Sequence, residues 1–179
     1  MHKTFKTVLS VILLGAMILS IASCFDLPIT ADGFESVLRR ADIGADDSNI
    51  HRYAEPNGNY EIVNYQVDLK IDYYISCFVY KDDSSAEKDF QREYERYRKI
   101  IEADALDGVS KEDVNGSFKY FTMDGTTTKK ELKTTVGGYK YGGWYCTKHA
   151  YLHVYAVIDD DEHREKIDKI LKQLNYPTP

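Results

Sequence analysis

The stretch Tyr73-Tyr74-Ile75-Ser76-Cys77-Phe78-Val79-Tyr80-Lys81, with the run Ser84-Ser85-Ala86-Glu87-Lys88-Asp89-Phe90-Gln91-Arg92-Glu93-Tyr94-Glu95-Arg96-Tyr97-Arg98-Lys99-Ile100-Ile101 that follows it, decides the fold. The first part is rich in aromatic and β-branched residues, and Tyr73, Ile75, Cys77 and Val79 recur at period two, which predicts a strand. From Ser84 the period changes. Ala86, Phe90, Tyr94, Tyr97 and Ile101 make one apolar stripe, and the remaining positions are dense in Lys, Arg, Glu and Asp. Ser84 and Glu87 are spaced as a capping box, so an amphipathic helix starts here.

Upstream, Asn57-Gly58-Asn59 marks a turn. Val63, Tyr65, Val67 and Leu69 then alternate with Ile62, Asn64, Gln66 and Asp68 as a strand. The short chain between this strand and Tyr73 predicts an antiparallel hairpin. Earlier still, Thr30 is placed as an N-cap, with Ile29 and Phe34 as a hydrophobic staple. Phe34, Val37, Leu38 and Ala41 form the stripe of a first helix, which Gly44 and Asp46-Asp47-Ser48-Asn49 end. Downstream, 104–116 reads as a loop and Ser117 to Met123 as a third strand, stopped at Asp124-Gly125. Thr126 to Val136 reads as strand or extended loop. Gly137-Gly138 and Gly142-Gly143 suggest bends or bulges.

Trp144 to Lys148 and Ala150 to Ile158 form the last two strands. Leu152, Val154, Ala156 and Ile158 share one face of the second; Tyr151, His153 and Tyr155 share the other. Asp160 or Asp161 caps a final helix with a stripe of Ile167, Ile170, Leu171 and Leu174, ended by Tyr176-Pro177. The expected fold is a single α+β domain over 30–179, in the order α-β-β-α-β-β-β-α. It has an antiparallel sheet with about three helices packed mainly on one face. Two halves, each a meander followed by a helix, hint at an internal repeat.

The chain has 179 residues and a net charge of −6, and it becomes more acidic if Lys3 and Lys6 are removed. That balance argues against nucleic acid as a partner, and against adhesion to anionic lipid by charge alone. The N-terminus explains the removal. Lys3 and Lys6 form a basic start, Val8 to Ile21 is an uncharged apolar run shorter than the ~20 residues of a membrane-spanning helix, and Ile21-Ala22-Ser23-Cys24 follows.

This last tetrapeptide resembles the lipobox of bacterial lipoproteins. The resemblance implies a signal peptide over 1–23, cleavage after Ser23, diacylglycerol on the Cys24 sulfur and a lipidated tether over 24–29. Two acyl chains at ~0.8 kcal/mol per buried CH₂ anchor stably. The expected location is therefore the extracytoplasmic face of the cell membrane. Further along, Ile29-Thr30 with Phe34, the Tyr73 to Asp83 strand and turn, Ser85-Ala86, and Leu174-Asn175-Tyr176 resemble small, mostly uncharacterised lipoproteins of Gram-positive bacteria. That resemblance implies no particular activity.

Chemical motifs are sparse. Cys77 and Cys146, both on strands, read either as buried thiols or as a disulfide. His149 and His153 on one continuous strand would lie ~13 Å apart, too far to share a metal with Cys146. The clusters Asp46-Asp47, Asp82-Asp83 and Asp159-Asp160-Asp161 lack calcium-loop spacing and sit where helix caps are expected. No catalytic residue, metal or cofactor is assigned.

Tyrosine stands out, with 15 in the chain. If helices cover one face of the sheet only, Tyr74, Phe78, Tyr151 and Tyr155 would form an aromatic recognition face for a sugar or a protein. The expected function is a lipid-anchored, non-catalytic binding module of the cell envelope, with a protein or cell-wall partner. The alternative is an envelope hydrolase or transferase whose site is assembled only by folding.

Overall fold

The computed structural model describes residues 29–66, 72–127 and 138–179. The leader, Cys24 and most of the tether lie outside them, as do Val67 to Leu69 and most of the ambiguous segment up to Val136.

Ten elements are described: α1 (Ala31–Arg40), β1 (Ile50–Ala54), β2 (Tyr60–Tyr65), β3 (Tyr73–Tyr80), α2 (Asp83–Glu102), β4 (Leu106–Asp113), β5 (Phe118–Thr127), β6 (Gly138–Thr147), β7 (Ala150–Ala156) and α3 (Asp161–Leu174). The result is one α+β domain on a seven-stranded antiparallel sheet of order β1-β2-β3-β7-β6-β5-β4. The helix and strand order expected from sequence holds, with β1 and β4 added. These two are the edges of the sheet.

The helix starts follow from short polar side chains that accept orphan backbone N–H groups. Thr30 Oγ1 accepts from the Gly33 amide at 3.0 Å, and Asp160 Oδ1 accepts from the His163 amide at 2.8 Å. For α2 the cap is Asp82 rather than Ser84: its Oδ1 accepts from the Ser85 amide at 2.9 Å. A carboxylate outcompetes the neighbouring hydroxyl at the positive end of the helix dipole. Glu87, released from the capping box, instead takes a charged hydrogen bond from Lys119.

Two cores form, one on each face of the sheet. On the first, α1 and α3 cover Val63, Tyr65, Ile75, Cys77, Leu152 and Val154 with Phe34, Leu38, Ile167 and Ile170. On the second, α2 lays Phe90, Tyr94, Tyr97 and Ile100 over Phe121, Met123, Trp144, Tyr151 and Tyr155. Two of the three helices thus share a face, and the third crosses the opposite one.

This arrangement removes the repeat suggested by the two meanders. Antiparallel β3 and β7 meet at the centre of the sheet. A two-fold axis relating them would leave both following helices on one face, but α2 and α3 lie on opposite faces.

Candidate ligand cleft

The period-two alternation does place Tyr74, Phe78, Tyr151 and Tyr155 on one face, and cross-strand register stacks them in pairs. Tyr74 lies opposite Tyr155 with ring centroids 5.0 Å apart, and Phe78 lies opposite Tyr151 at 6.0 Å. The face is not open, however. α2 covers half of it, so Tyr151 is 2% and Tyr155 7% exposed, whereas Tyr74 is 42% exposed. The Phe90 ring meets Tyr151 edge-on at 6.4 Å, and Trp144 packs between Tyr97 at 4.3 Å and Tyr155 at 4.7 Å. The expected recognition face is therefore corrected. Tyr151 is core, Phe78 is half-buried, and Tyr74 and Tyr155 reach a cleft at the edge of the covering helix.

That cleft has a volume of about 360 Å³ and opens between α2 and strands β3, β7 and β6. Glu93, Arg96 and Tyr97 line it from the helix; Tyr74, His153, Tyr155, Lys140 and Trp144 line it from the sheet. A wider depression along the outer side of α2 is walled, among the described residues, by that helix alone. The charged groups of the cleft are close to one another. Glu93 pairs with Arg96 at 3.5 Å and with Arg92 at 3.7 Å. Lys140 is 6% exposed, the one buried lysine among the described residues. Its Nζ lies 5.8 Å from the centroid of the Tyr97 ring. Burial, reinforced by the nearby Arg96 charge, pushes its ammonium down to about 8. Tyr139, the neighbour of Lys140, turns to the other face, where its hydroxyl donates to Asp124 at 2.9 Å and Arg164 sits 5.4 Å over its ring.

His153 lies deeper in the same cleft, edge-on to Tyr151 at 4.8 Å. Burial and the Arg92 charge push its imidazolium down to about 4, so the ring is neutral at physiological pH. Its Nε2 and the Tyr151 hydroxyl are both buried without a hydrogen-bond partner among the described residues. His153 and Glu93 thus share a cleft without forming a proton-relay pair through Nε2. His149 sits apart in the tight turn between β6 and β7, its Nδ1 3.8 Å from Asp83.

The two cysteines do not meet. Cys77 lies opposite Leu152 and faces the first core; Cys146 lies opposite Tyr151 and faces the second. Both are buried free thiols, and burial raises the titration of each, to about 12 for Cys146. The disulfide reading is thereby corrected, because the sheet stands between the sulfurs. Intact mass with and without reductant should be identical; a difference of about 2 Da would overturn this.

Sequence reasoning missed Lys140, Arg96 and Glu93. Arg96 and Glu93 belong to what reads as the solvated face of a helix, and Lys140 sits among glycines and tyrosines that read as a bend. The signal available was Lys140 itself, at an inward register two residues before Gly142 and four before Trp144. Comparison with protein-family models, with curated proteins and with solved structures finds no match to this chain.

Proposed function

We propose that this protein is a lipid-anchored, non-catalytic binding module on the extracytoplasmic face of the membrane, engaging a component of the cell envelope through the cleft beneath α2. The observation that carries the binding half is the composition of the cleft: aromatic walls from Tyr74, Tyr97, Trp144 and Tyr155 around the buried cation Lys140. Tyrosine and tryptophan give apolar area with polar tips, which suits sugar rings and peptide partners alike. The anchoring half is supported by Ile21-Ala22-Ser23-Cys24. Among the described residues no helix is long and apolar enough to cross a membrane, so in this reading the lipid on Cys24 holds the bilayer.

Cys24→Ala tests the anchor. The expected result is transfer of the protein from the membrane to the soluble fraction, or retention of an unprocessed precursor with the leader mass still attached. Unchanged membrane association and unchanged mature mass would refute it. Co-sedimentation of the full-length protein in detergent with purified wall fragments tests the binding half. Time-dependent release of soluble fragments would instead favour an envelope hydrolase or transferase, the reading to which His153 and Glu93 in one cleft lend weight.

A further inference from the structure

We propose that two copies of this chain form a two-fold dimer in which β4 pairs antiparallel with β4 of the second copy, about an axis at Val109. The dimer goes beyond the binding-module reading and does not depend on it.

An edge strand presents a row of backbone N–H and C=O groups to whatever strand can pair with it. Among the described residues β4 has one neighbour, β5, and forms one end of the sheet. It is eight residues long, and Asp107, Gly108, Val109, Lys111, Glu112 and Asp113 are exposed. Val109 is 57% exposed and is the one apolar side chain between Asp107 and Asp113. Asp107, Val109 and Lys111 share a face of the sheet, since they lie opposite Thr126, Asp124 and Thr122. The strand thus offers an apolar centre with an acid two residues before it and a base two residues after.

That order is self-complementary. Opposed residues in an antiparallel ladder share one hydrogen-bonding state, so a two-fold axis must fall at a residue. With the axis at Val109, the two valines meet and Asp107 of each copy lies opposite Lys111 of the other. Gly108 then faces Ser110, and Leu106 faces Glu112, so no like charges are opposed. Neighbouring axes do worse. An axis at Asp107 or Lys111 sets that residue against itself, and one at Ser110 sets Asp107 against Asp113. At Gly108, Asp107 meets Val109 and no opposite charges pair. The other edge is unsuited to the same use. β1 is five residues long, and its central Arg52 is held by Asp32 and Glu61. A two-fold pairing there would set Arg52 against Arg52.

The symmetry also fits a membrane. An axis normal to the sheet leaves the α1 and α3 faces of both copies on one side. Ile29, where the described chain enters α1, packs on that face. Both chains therefore enter from the same side, as two copies anchored in one bilayer require. Confinement to that bilayer would raise their effective concentration. A single strand pair is small beside the interface of about 1,200–2,000 Å² in stable complexes, so reversible association in the micromolar range is expected.

Sedimentation equilibrium tests this on the full-length protein, with detergent micelles in excess, from about 1 to 500 µM. A reversible monomer–dimer equilibrium is expected. Asp107→Lys should weaken it about tenfold or more, because both opposed pairs become repulsive. Combining Asp107→Lys with Lys111→Asp should restore it to within about threefold of the parent. Both positions are exposed, so neither change should move the thermal midpoint beyond what surface substitutions do. On mild oxidation, Val109→Cys should raise the reductant-sensitive dimer well above the parent's level, and Glu112→Cys, which faces Leu106, should not. A chain that stays monomeric throughout overturns the dimer and leaves β4 to a strand of another protein. A dimer indifferent to Asp107→Lys, or not restored by the charge swap, overturns this interface. Neither result bears on Cys24-dependent membrane retention or on wall-fragment binding, which test the other readings.

Discussion

Gly142→Ala should lower the unfolding free energy by about 3 kcal/mol or more, measured as the shift of the urea midpoint. Gly142 lies in β6, between Met123 of β5 and Tyr155 of β7. A Cβ there would fall 2.1 Å from the Val154 carbonyl oxygen and 2.7 Å from the Tyr155 Cα. Both contacts are backbone at the centre of the sheet, so neither can swing aside as a flexible side chain could. The backbone adds its own demand, since φ is +132°, a value that L side chains rarely adopt. Gly138→Ala is the control. It also has positive φ, +107°, but none of the described residues comes within 4 Å of its added Cβ, so backbone strain of about 1 kcal/mol is the expected cost. A Gly142→Ala loss no larger than the control would mean that β6 and β7 do not approach each other so closely here. The same approach brings Tyr155 beside Trp144, so the substitution should also alter the emission of that tryptophan.

The second large effect is acid sensitivity set by His153. Its imidazolium is pushed down to about 4 in the folded protein, from an ordinary value of 6.5. Between those values the unfolded chain binds a proton that the folded protein does not, so acid favours unfolding and stability is lost as the pH falls from about 6.5 to 4. Complete burial would make this loss about 3 kcal/mol; His153 as a residue is only partly buried, which brings the expected figure to about 2 kcal/mol. The groups facing His153 are Asp89 and Arg92 from α2, with Tyr151 and Tyr155 on its own strand. Asp89 accepts hydrogen bonds from Tyr80 and from Arg92, the latter at 2.7 Å.

Carboxylates held low by capping and turn hydrogen bonds, Asp46, Asp82 and Asp160, act below this window, because their ordinary value is already 3.8. His153→Phe should therefore flatten the slope of stability against pH between 4 and 6.5. It keeps a ring among Phe78, Tyr151 and Tyr155 and removes a buried nitrogen that has no partner among the described residues. An unchanged slope would assign the acid transition to other groups.

How far the fold was legible from sequence can be traced element by element. The stripes of α1, α2 and α3 and the alternation of β2, β3 and β7 were readable because each element buries one face and must repeat its apolar residues at its own period. The stripes place Phe34, Phe90 and Ile167 in the core, where they are found. β1 and β4 were not readable. They are edge strands with Arg52, Tyr53 and Ala54, or Asp107, Gly108 and Val109, facing solvent, so no alternation marks them. Their hydrogen bonds to β2 and β5 define them, and pairing of that kind leaves little trace in composition. Asp124-Gly125 reads as a turn, yet β5 continues through it, because Gly108 on β4 lies directly opposite and the two glycines let the backbones close.

The sequence alone determined the periods of α1, α2, α3, β2, β3 and β7, the cap at Thr30, a cap at Asp160 or Asp161, and the face on which the residues of those three strands lie, since these depend on neighbours a few positions away. Which faces are covered was decided only by the tertiary structure. The crossing of α2 to the side opposite α1 and α3 turned Tyr151 and Tyr155 from an expected surface into core. The same crossing set Cys77 and Cys146 in separate cores and brought Glu93 and Arg96 over Lys140. A side-chain period fixes which residues point together but carries no information about which helix will arrive above them. That choice is made by the competition of whole apolar faces for one another when the chain collapses.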